Sequence, residues 1–481
     1  MPRSIQACRV KCTLTLAAAS LSILTATGLA FAEPIDPAAA LTGKAAGLTS
    51  EQVARRASAT SFVTEEKRQE VQAAAASYDR ALYDFIPKLT GQVSYYRLSP
   101  VNGTSLGSLV VAPGAAPGPL PDGQPLASTP LSFESVQNAT TLSASLTLPL
   151  SDYVLRLFQA RSAARAQLDS ASLSQLATER KVAYDARALY YDWVRAELEA
   201  AAAEQNLQLG QQHLERLLAL AAADSASPAD VARVEATVAS SELVLVQAKN
   251  LAELQRRRVA VTMHSGQPET FTIGEDLTRA PALRAGSSDL AELTRHAEAR
   301  RPELEAAALA AKTYDKQADA TWSKVLPRLD ASGTTTLANP NQRYFPQKDE
   351  FHSTWQVGVQ LSFALGDSLS AKTQVNQARA QAAAARAERA QLIDAIHVEV
   401  SDAVLAERTA RASLDTSARR LSAAQTSYQA RYQRFLVGQA TTVELTEAQT
   451  ELFNAQLEVV HAQVAIRVAQ ARVVYVTGGQ S

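Results

Sequence analysis

No proline interrupts the chain between Ala371 and Val476, and a seven-residue repeat of large apolar side chains runs through the second half of that stretch. Leu445, Leu452, Val459, Ile466 and Val473 recur at sevens, and Ala448, Ala455, Ala462 and Ala469 follow the first four of them by three. This is the a/d seam of a left-handed coiled coil, and pairing a large residue with alanine lets two helices approach closely. The incoming arm keeps the same interval in Leu414, Leu421, Tyr428 and Phe435, and a short turn around Val437-Gly438-Gln439-Ala440 separates the arms. The pattern predicts two long helices packed back to back.

Composition points the same way. The chain has 481 residues, 6% aromatic, with Gly 19 and Pro 19. Rich in alanine and poor in helix breakers, it favours long helices over compact α/β layers. A formal net charge of −1 gives a nucleic-acid partner no electrostatic support.

Both cysteines, Cys8 and Cys12, lie in what reads as a targeting segment. Arg3, Arg9 and Lys11 make a basic start, Leu14 to Leu29 is mostly apolar, and Ala30-Phe31-Ala32 is an A-x-A cleavage site, which predicts a signal peptide over 1–32. An N-terminal membrane anchor is the alternative. A mature chain starting near Glu33 has no cysteine, hence neither a disulfide nor a thiol lipid anchor. No later run approaches the ~18 consecutive apolar residues of a membrane helix.

Residues 33–49 are expected to be irregular and a first helix to run from about Ser50 to Phe85, stopped by Pro87. Alternation follows. Leu89, Gly91, Val93 and Tyr95 oppose Thr90, Gln92, Ser94 and Tyr96, and Leu142, Ala144, Leu146 and Leu148 oppose Ser143, Ser145 and Thr147. These predict strands at about 88–97 and 140–150. Over ~10 residues the pattern suits a membrane barrel with lipid outside and water inside, or else an amphipathic hairpin on a soluble core. The excursion from Leu98 to Asn138, with Pro100, Pro113, Pro117, Pro119, Pro121, Pro125 and Pro130, reads as an exposed loop. A helical hairpin over 152–263 follows, its tip near 224–229. Its return arm carries Val231, Val238, Leu245, Ala252 and Val259 at sevens, and an equatorial segment spans 264–288.

Then the chain repeats itself. Val325-Leu326-Pro327-Arg328-Leu329 echoes Phe85-Ile86-Pro87-Lys88-Leu89, and Leu361 to Asp367 echoes Leu146 to Asp152. Residues 50–288 thus read as one repeat and 289–476 as a second, with strands at about 328–337 and 354–365, a helical hairpin over 368–476 whose tip lies near 437–442, and a tail of 477–481. Trp355, Val357, Val359, Leu361 and Phe363 oppose Gln356, Gly358, Gln360 and Ser362. Tyr95, Trp355 and Phe363 are candidates for an aromatic membrane girdle. Four strands cannot close a barrel and an open edge is not tolerated in lipid, so the barrel must be shared among chains.

Several of these stretches resemble the outer-membrane efflux proteins, or TolC-like channels: Arg301-Pro302-Glu303-Leu304, Leu326-Pro327-Arg328-Leu329, Leu361 to Asp367, and Tyr432-x-x-Phe435-x-Val437-Gly438 followed by Val443-Glu444-Leu445-Thr446-Glu447-Ala448-Gln449. The resemblance covers essentially the whole mature chain. It implies a mainly α fold with a membrane β portion: a homotrimer with a 12-stranded β-barrel on an α-helical barrel, set in outer-membrane lipid with its tunnel in the periplasm. It also implies docking to a periplasmic adaptor (membrane fusion) protein and an inner-membrane pump of RND or ABC type, with the chain serving tripartite efflux or type I secretion.

The residues predict no bond chemistry, cofactor or metal. Gly43-Lys44 lacks the preceding glycine of a phosphate loop, H-E-x-x-H and G-x-S-x-G do not occur, and His213, His264, His296, His352, His397 and His461 are scattered without ligand spacing. The resemblance places acidic residues of the closed periplasmic entrance at Glu444 and Glu447. Three apart on one helix face, they would form a carboxylate ring when repeated around a trimer. The plainer alternative is that they favour the helix dipole, with Thr441 or Thr442 as cap. The turns carrying Val437, Gly438 and Gln439, and Asp224, Ser225 and Pro228, are either adaptor-docking tips or simple tight connections. The first lacks the Val-Gly-Leu that is common there in the resembled family. The competing whole-chain reading is a periplasmic coiled-coil adaptor, or a structural stalk, without a pore.

Overall fold

The computed structural model describes residues 47–100, 105–113, 116, 118–119, 122–123, 125–132, 136–265, 271–277 and 289–479. The expected signal peptide lies outside these residues, as do nearly all of 33–49, much of 264–288 and the last two residues of the tail.

Among the described residues sixteen elements follow one another. The first half holds α1 (Ser50–Thr60), α2 (Phe62–Tyr83), β1 (Lys88–Arg97), β2 (Ser105–Val111), β3 (Ala127–Ser132), β4 (Asn138–Leu148), α3 (Leu150–Leu155), α4 (Leu157–Ala222) and α5 (Pro228–Thr262). The second holds α6 (Leu290–Arg300), α7 (Pro302–Trp322), a 3-10 turn (Ser323–Val325), β5 (Arg328–Asn339), β6 (His352–Ser362), α8 (Leu365–Leu436) and α9 (Thr442–Val476). The 66 residues of α4 and 72 of α8 extend about 100 and 110 Å at ~1.5 Å per residue.

Several boundaries differ from the sequence expectation. The first helix is two, because Ser61 adopts extended backbone (φ −63°, ψ 131°) and its hydroxyl accepts from Val63 N, capping α2 as α1 ends. The helix expected from 152 starts at Leu150 and breaks at Arg156, the junction of α3 and α4. The Leu98–Asn138 excursion is not bare loop: β2 and β3 pair antiparallel within it, and Pro130 is accommodated because this two-stranded ribbon has only edges. The strand expected to reach 365 stops at Ser362, so Phe363 lies beyond it.

The main sheet is antiparallel in the order β1-β4-β5-β6. Its register sets Leu89 opposite Leu146 and Val93 opposite Leu142. Leu142 is in turn opposite Leu337, Ala331 opposite Val359, and Leu329 opposite Leu361. The period of two therefore puts every one of these on one face.

Below the sheet the long helices form a wall one layer thick. Nearer the sheet, α2 packs on α4, α4 on α7 and α7 on α8; farther away the order is α5, α4, α9, α8. The a/d seam is the glue: Leu445, Ala448, Leu452, Ala455, Ala462, Ile466 and Ala469 are all buried. At the waist Val53, Tyr190, Trp193, Val194, Val259 and Val460 form the main core. There the backbones of Gly47 and Gly274 pass so closely that a Cβ on Gly274 would sit 2.3 Å from the Gly47 carbonyl oxygen. The Glu275 carboxylate ties this crossing down, accepting from Ser50 N at 2.6 Å and from the Tyr191 hydroxyl at 2.9 Å. Burial pushes the Tyr191 phenol up to about 12, so it stays a donor.

Candidate channel wall and helical tips

The two faces of the sheet are chemically opposite. Leu89, Val93, Tyr95, Trp355, Val357, Val359 and Leu361 stand on one face and are exposed, Val357 at 75%. The other presents Thr90, Gln92 and Ser94 of β1, Ser143 and Ser145 of β4, Ser332 and Thr334 of β5, and Gln356 and Gln360 of β6. Ser145 Oγ and Thr334 Oγ1 lie 3.1 Å apart across that polar side. An apolar face this continuous seeks a cover, and the hydroxyl and amide face seeks water. Both outer strands, β1 and β6, are unpaired along one edge in the single chain. Among the described residues no helix is long and apolar enough to cross a membrane.

Where sheet meets helices, a cavity of about 690 Å³ is lined by Lys88, Lys324, Arg328, Asp84, Asp152 and Asp367 among others. It opens on the polar side of the sheet, so the hydrophilic surface continues downward from the strands.

At the far end both helical hairpins turn tightly. Asp224 takes a left-handed φ of 60°, and Ser227 caps α5 by accepting from Ala229 N at 3.2 Å, with Pro228 at the first helical position. In the other turn Gly438 has φ 71°, a region glycine enters without a Cβ penalty. Val437 beside it is 68% exposed. Thr441 and Glu444 then close a capping box: Glu444 N donates to Thr441 Oγ1 at 3.2 Å, and Thr441 N donates to Glu444 Oε2 at 2.8 Å. The Thr441 backbone N–H, followed by its hydroxyl, holds the Glu444 carboxyl below its usual value. Glu447, one turn on, is exposed.

Residues 293–479 match the family model described as outer membrane efflux protein. The structure also aligns with the outer-membrane channel OprN at a TM-score of 0.71, over 93% of this chain and 96% of that one, with 20% identity. The chain shares the fold of this outer-membrane channel. CusC aligns with it at 0.71, 15% identity, covering 90% of this chain and 92% of that one. The outer membrane protein VceC from Vibrio cholerae aligns at 0.69, 17% identity, over 89% and 96%. No curated protein matches the chain.

Within this efflux-protein fold the expected site residues fall into three places. Val437, Gly438, Gln439, Glu444 and Glu447 gather at one tip, and Asp224, Ser225 and Pro228 at the neighbouring one. Tyr95 and Trp355 stand on the apolar sheet face, 62% and 73% exposed, near the loop end of their strands. Phe363 lies at the opposite end, after β6, 57% exposed. Of the two candidate caps the structure uses Thr441, and the box occupies one oxygen of Glu444, leaving Glu447 as the freer carboxylate. Among the described residues no group of three His, Cys, Asp or Glu could hold a metal.

Sequence reasoning noticed Arg301 only as a motif residue. Its side chain is buried, pairs with Glu399 and, at 3.2 Å, with Glu303, and lies 5.6 Å from the Tyr475 ring centroid. Glu399 is 98 residues further on, so no local spacing could have announced the pair. His213 likewise carries no local mark in the sequence beyond being one of six scattered histidines.

Proposed function

We propose that the chain is one subunit of a trimeric outer-membrane duct, a passive exit for cargo delivered by an energised inner-membrane partner through a periplasmic adaptor. The observation that carries this reading is the four-stranded sheet, apolar on one face and hydroxyl- and amide-rich on the other, with β1 and β6 both free to pair. Closure by β1 of one copy on β6 of the next removes both edges, as a membrane requires. The family match over 293–479 and the fold of OprN and CusC support it. Helices of about 100 Å supply a periplasmic conduit far longer than the membrane is thick. In this reading 50–288 and 289–476 are two repeats, the exposed turns at Val437–Gln439 and Asp224–Pro228 meet the adaptor, and nothing in the wall makes or breaks a bond.

The test is extraction from outer membranes into detergent, followed by mass measurement and planar-bilayer recording. A heat-modifiable trimer that conducts is expected; a freely soluble monomer, as an adaptor or stalk without barrel would give, overturns the reading. The acidic ring belongs to the same proposal. Because Glu444 is partly engaged by Thr441, Glu447→Gln is expected to reduce cation selectivity more than Glu444→Gln does. Reversal potentials in a salt gradient measure this, and unchanged selectivity in Glu447→Gln rejects the ring.

A further inference from the structure

Just above the two tips lies a small core made by Leu217 of α4, Val234 and Val238 of α5, Phe435 of α8 and Leu445 of α9. Into it α4 inserts His213, only 4% exposed. The imidazole meets the Phe435 ring edge-on, centroids 5.1 Å apart at 85°, and its Nε2 has no hydrogen-bond partner. A buried polar atom without a partner is costly, and a buried charge without one costs far more.

Two glutamines next above His213 on the same seam are hydrogen-bonded. Gln456 Nε2 donates to Gln205 Oε1 at 3.0 Å. Gln449 Nε2 donates to the Asn206 carbonyl at 3.0 Å and to its Oδ1 at 3.1 Å, while Asn206 Nδ2 donates to Ser241 Oγ at 3.2 Å. These amides join α9, α4 and α5 independently of pH. Below them the four helices are held by the apolar cluster around His213.

No neighbouring anion answers a proton there. On α4, Arg216 lies 5.5 Å from the Tyr432 ring centroid and Glu215 is exposed. On α8, Tyr428 and Tyr432 stack on one another, burial pushing Tyr428 up to about 12. Arg431 and Arg434 of that helix donate to the carbonyls of Glu444 and Gln439. On α9, Glu444 is turned to Thr441 and Glu447 is exposed; on α5, Arg233 and Glu235 are exposed.

The geometry points to a proton-sensitive clasp at the periplasmic end, with His213 as its sensor: a proton taken up by this imidazole parts α8 and α9 from α4 and α5. This rests on the reading of the chain as a duct. Burial holds the imidazole below its ordinary 6.5 in the closed tip, whereas a parted tip hydrates it and restores that value. The closed state therefore keeps its full stability above about pH 6.5 and loses it as pH falls from there toward the depressed value. At pH 5.5, one unit below the free imidazole, tip opening rises by at most about tenfold, the limit set by the free imidazole. The lowered carboxyl of Glu444 titrates below this window and does not contribute to it.

The experiment is hydrogen exchange on the detergent-solubilised full chain at pH 7.5 and 5.5, with rates corrected for intrinsic exchange. Peptides over 205–217 and 428–449 are expected to lose protection, by up to about tenfold, in the native protein and to stay flat in His213→Gln. A flat native profile, or an equal loss in His213→Gln, overturns the clasp; His213→Leu gives the same comparison if the glutamine variant assembles poorly. Bilayer recordings of the same samples separate the two readings. Conducting pores with flat protection overturn the sensor alone, and a His213-dependent loss without conductance upholds the sensor while the duct fails.

Discussion

Arg301 carries a charge into the junction between α6 and α7, where its side chain is 6% exposed against 45% for Glu399 and 24% for Glu303. Removing it leaves two carboxylates without their cation and uncovers the Tyr475 ring. Because both acids keep some solvent, the loss falls short of that for a fully buried pair: Arg301→Met is expected to cost about 2 kcal/mol. Reduced exchange protection over 293–304 and 473–479 measures it. This residue also marks what a sequence withholds. The Arg-Pro-Glu-Leu string is visible, but Glu399 and Tyr475 are brought to it only by the folding back of α8 and α9. The same holds for His213, whose local sequence is that of any helix and whose burial depends on Phe435 more than two hundred residues away. Cap choice was open in the same way, since Thr441 and Thr442 are adjacent and only geometry selects one.

At the level of elements, periodicity was legible and interruptions were not. The period of seven located α9 and its buried a/d residues, and the period of two located the strands and their faces. Ser61 and Arg156 break helices with no proline or glycine to announce the break, and at Ser61 it is an extended backbone and a hydroxyl cap that make it. The β2–β3 ribbon is masked in sequence by Pro130 within β3 and by the prolines between the strands, since a strand tolerates proline only at an edge. Gly210 offers a test of packing along α4. A Cβ there would meet Gln449 Nε2 and Val238 Cγ2 at 3.5 Å each, ordinary contact distances. Gly210→Ala is therefore expected to raise helix stability by about 0.5–1 kcal/mol without displacing the Gln449–Asn206 link. Slower exchange over 205–217 confirms it; faster exchange means that the amide link has been pushed apart.

For the whole molecule the deciding contrast is between adjacent residues on opposite sheet faces. Val357 sits mid-strand on the apolar side and Gln356 beside it on the polar side. In a barrel, Val357→Arg places a charge in hydrocarbon at a cost of about 2–4 kcal/mol, whereas Gln356→Arg places one in water. The yield of heat-modifiable trimer from outer membranes is expected to fall for the first and hold for the second; equal yields would mean that neither face meets lipid.

On the proposed reading as a trimeric duct, the open edges of β1 and β6 also bear on a copy that has not yet met its partners. Until it meets its siblings, such a molecule displays a greasy sheet and two raw backbone margins at once, each able to capture any extended peptide nearby. If the proposed ring forms, association in the right cyclic order is then the step that would make insertion safe. A cell making this protein would need something to shield its orphan subunits, or would lose them to aggregation and proteolysis.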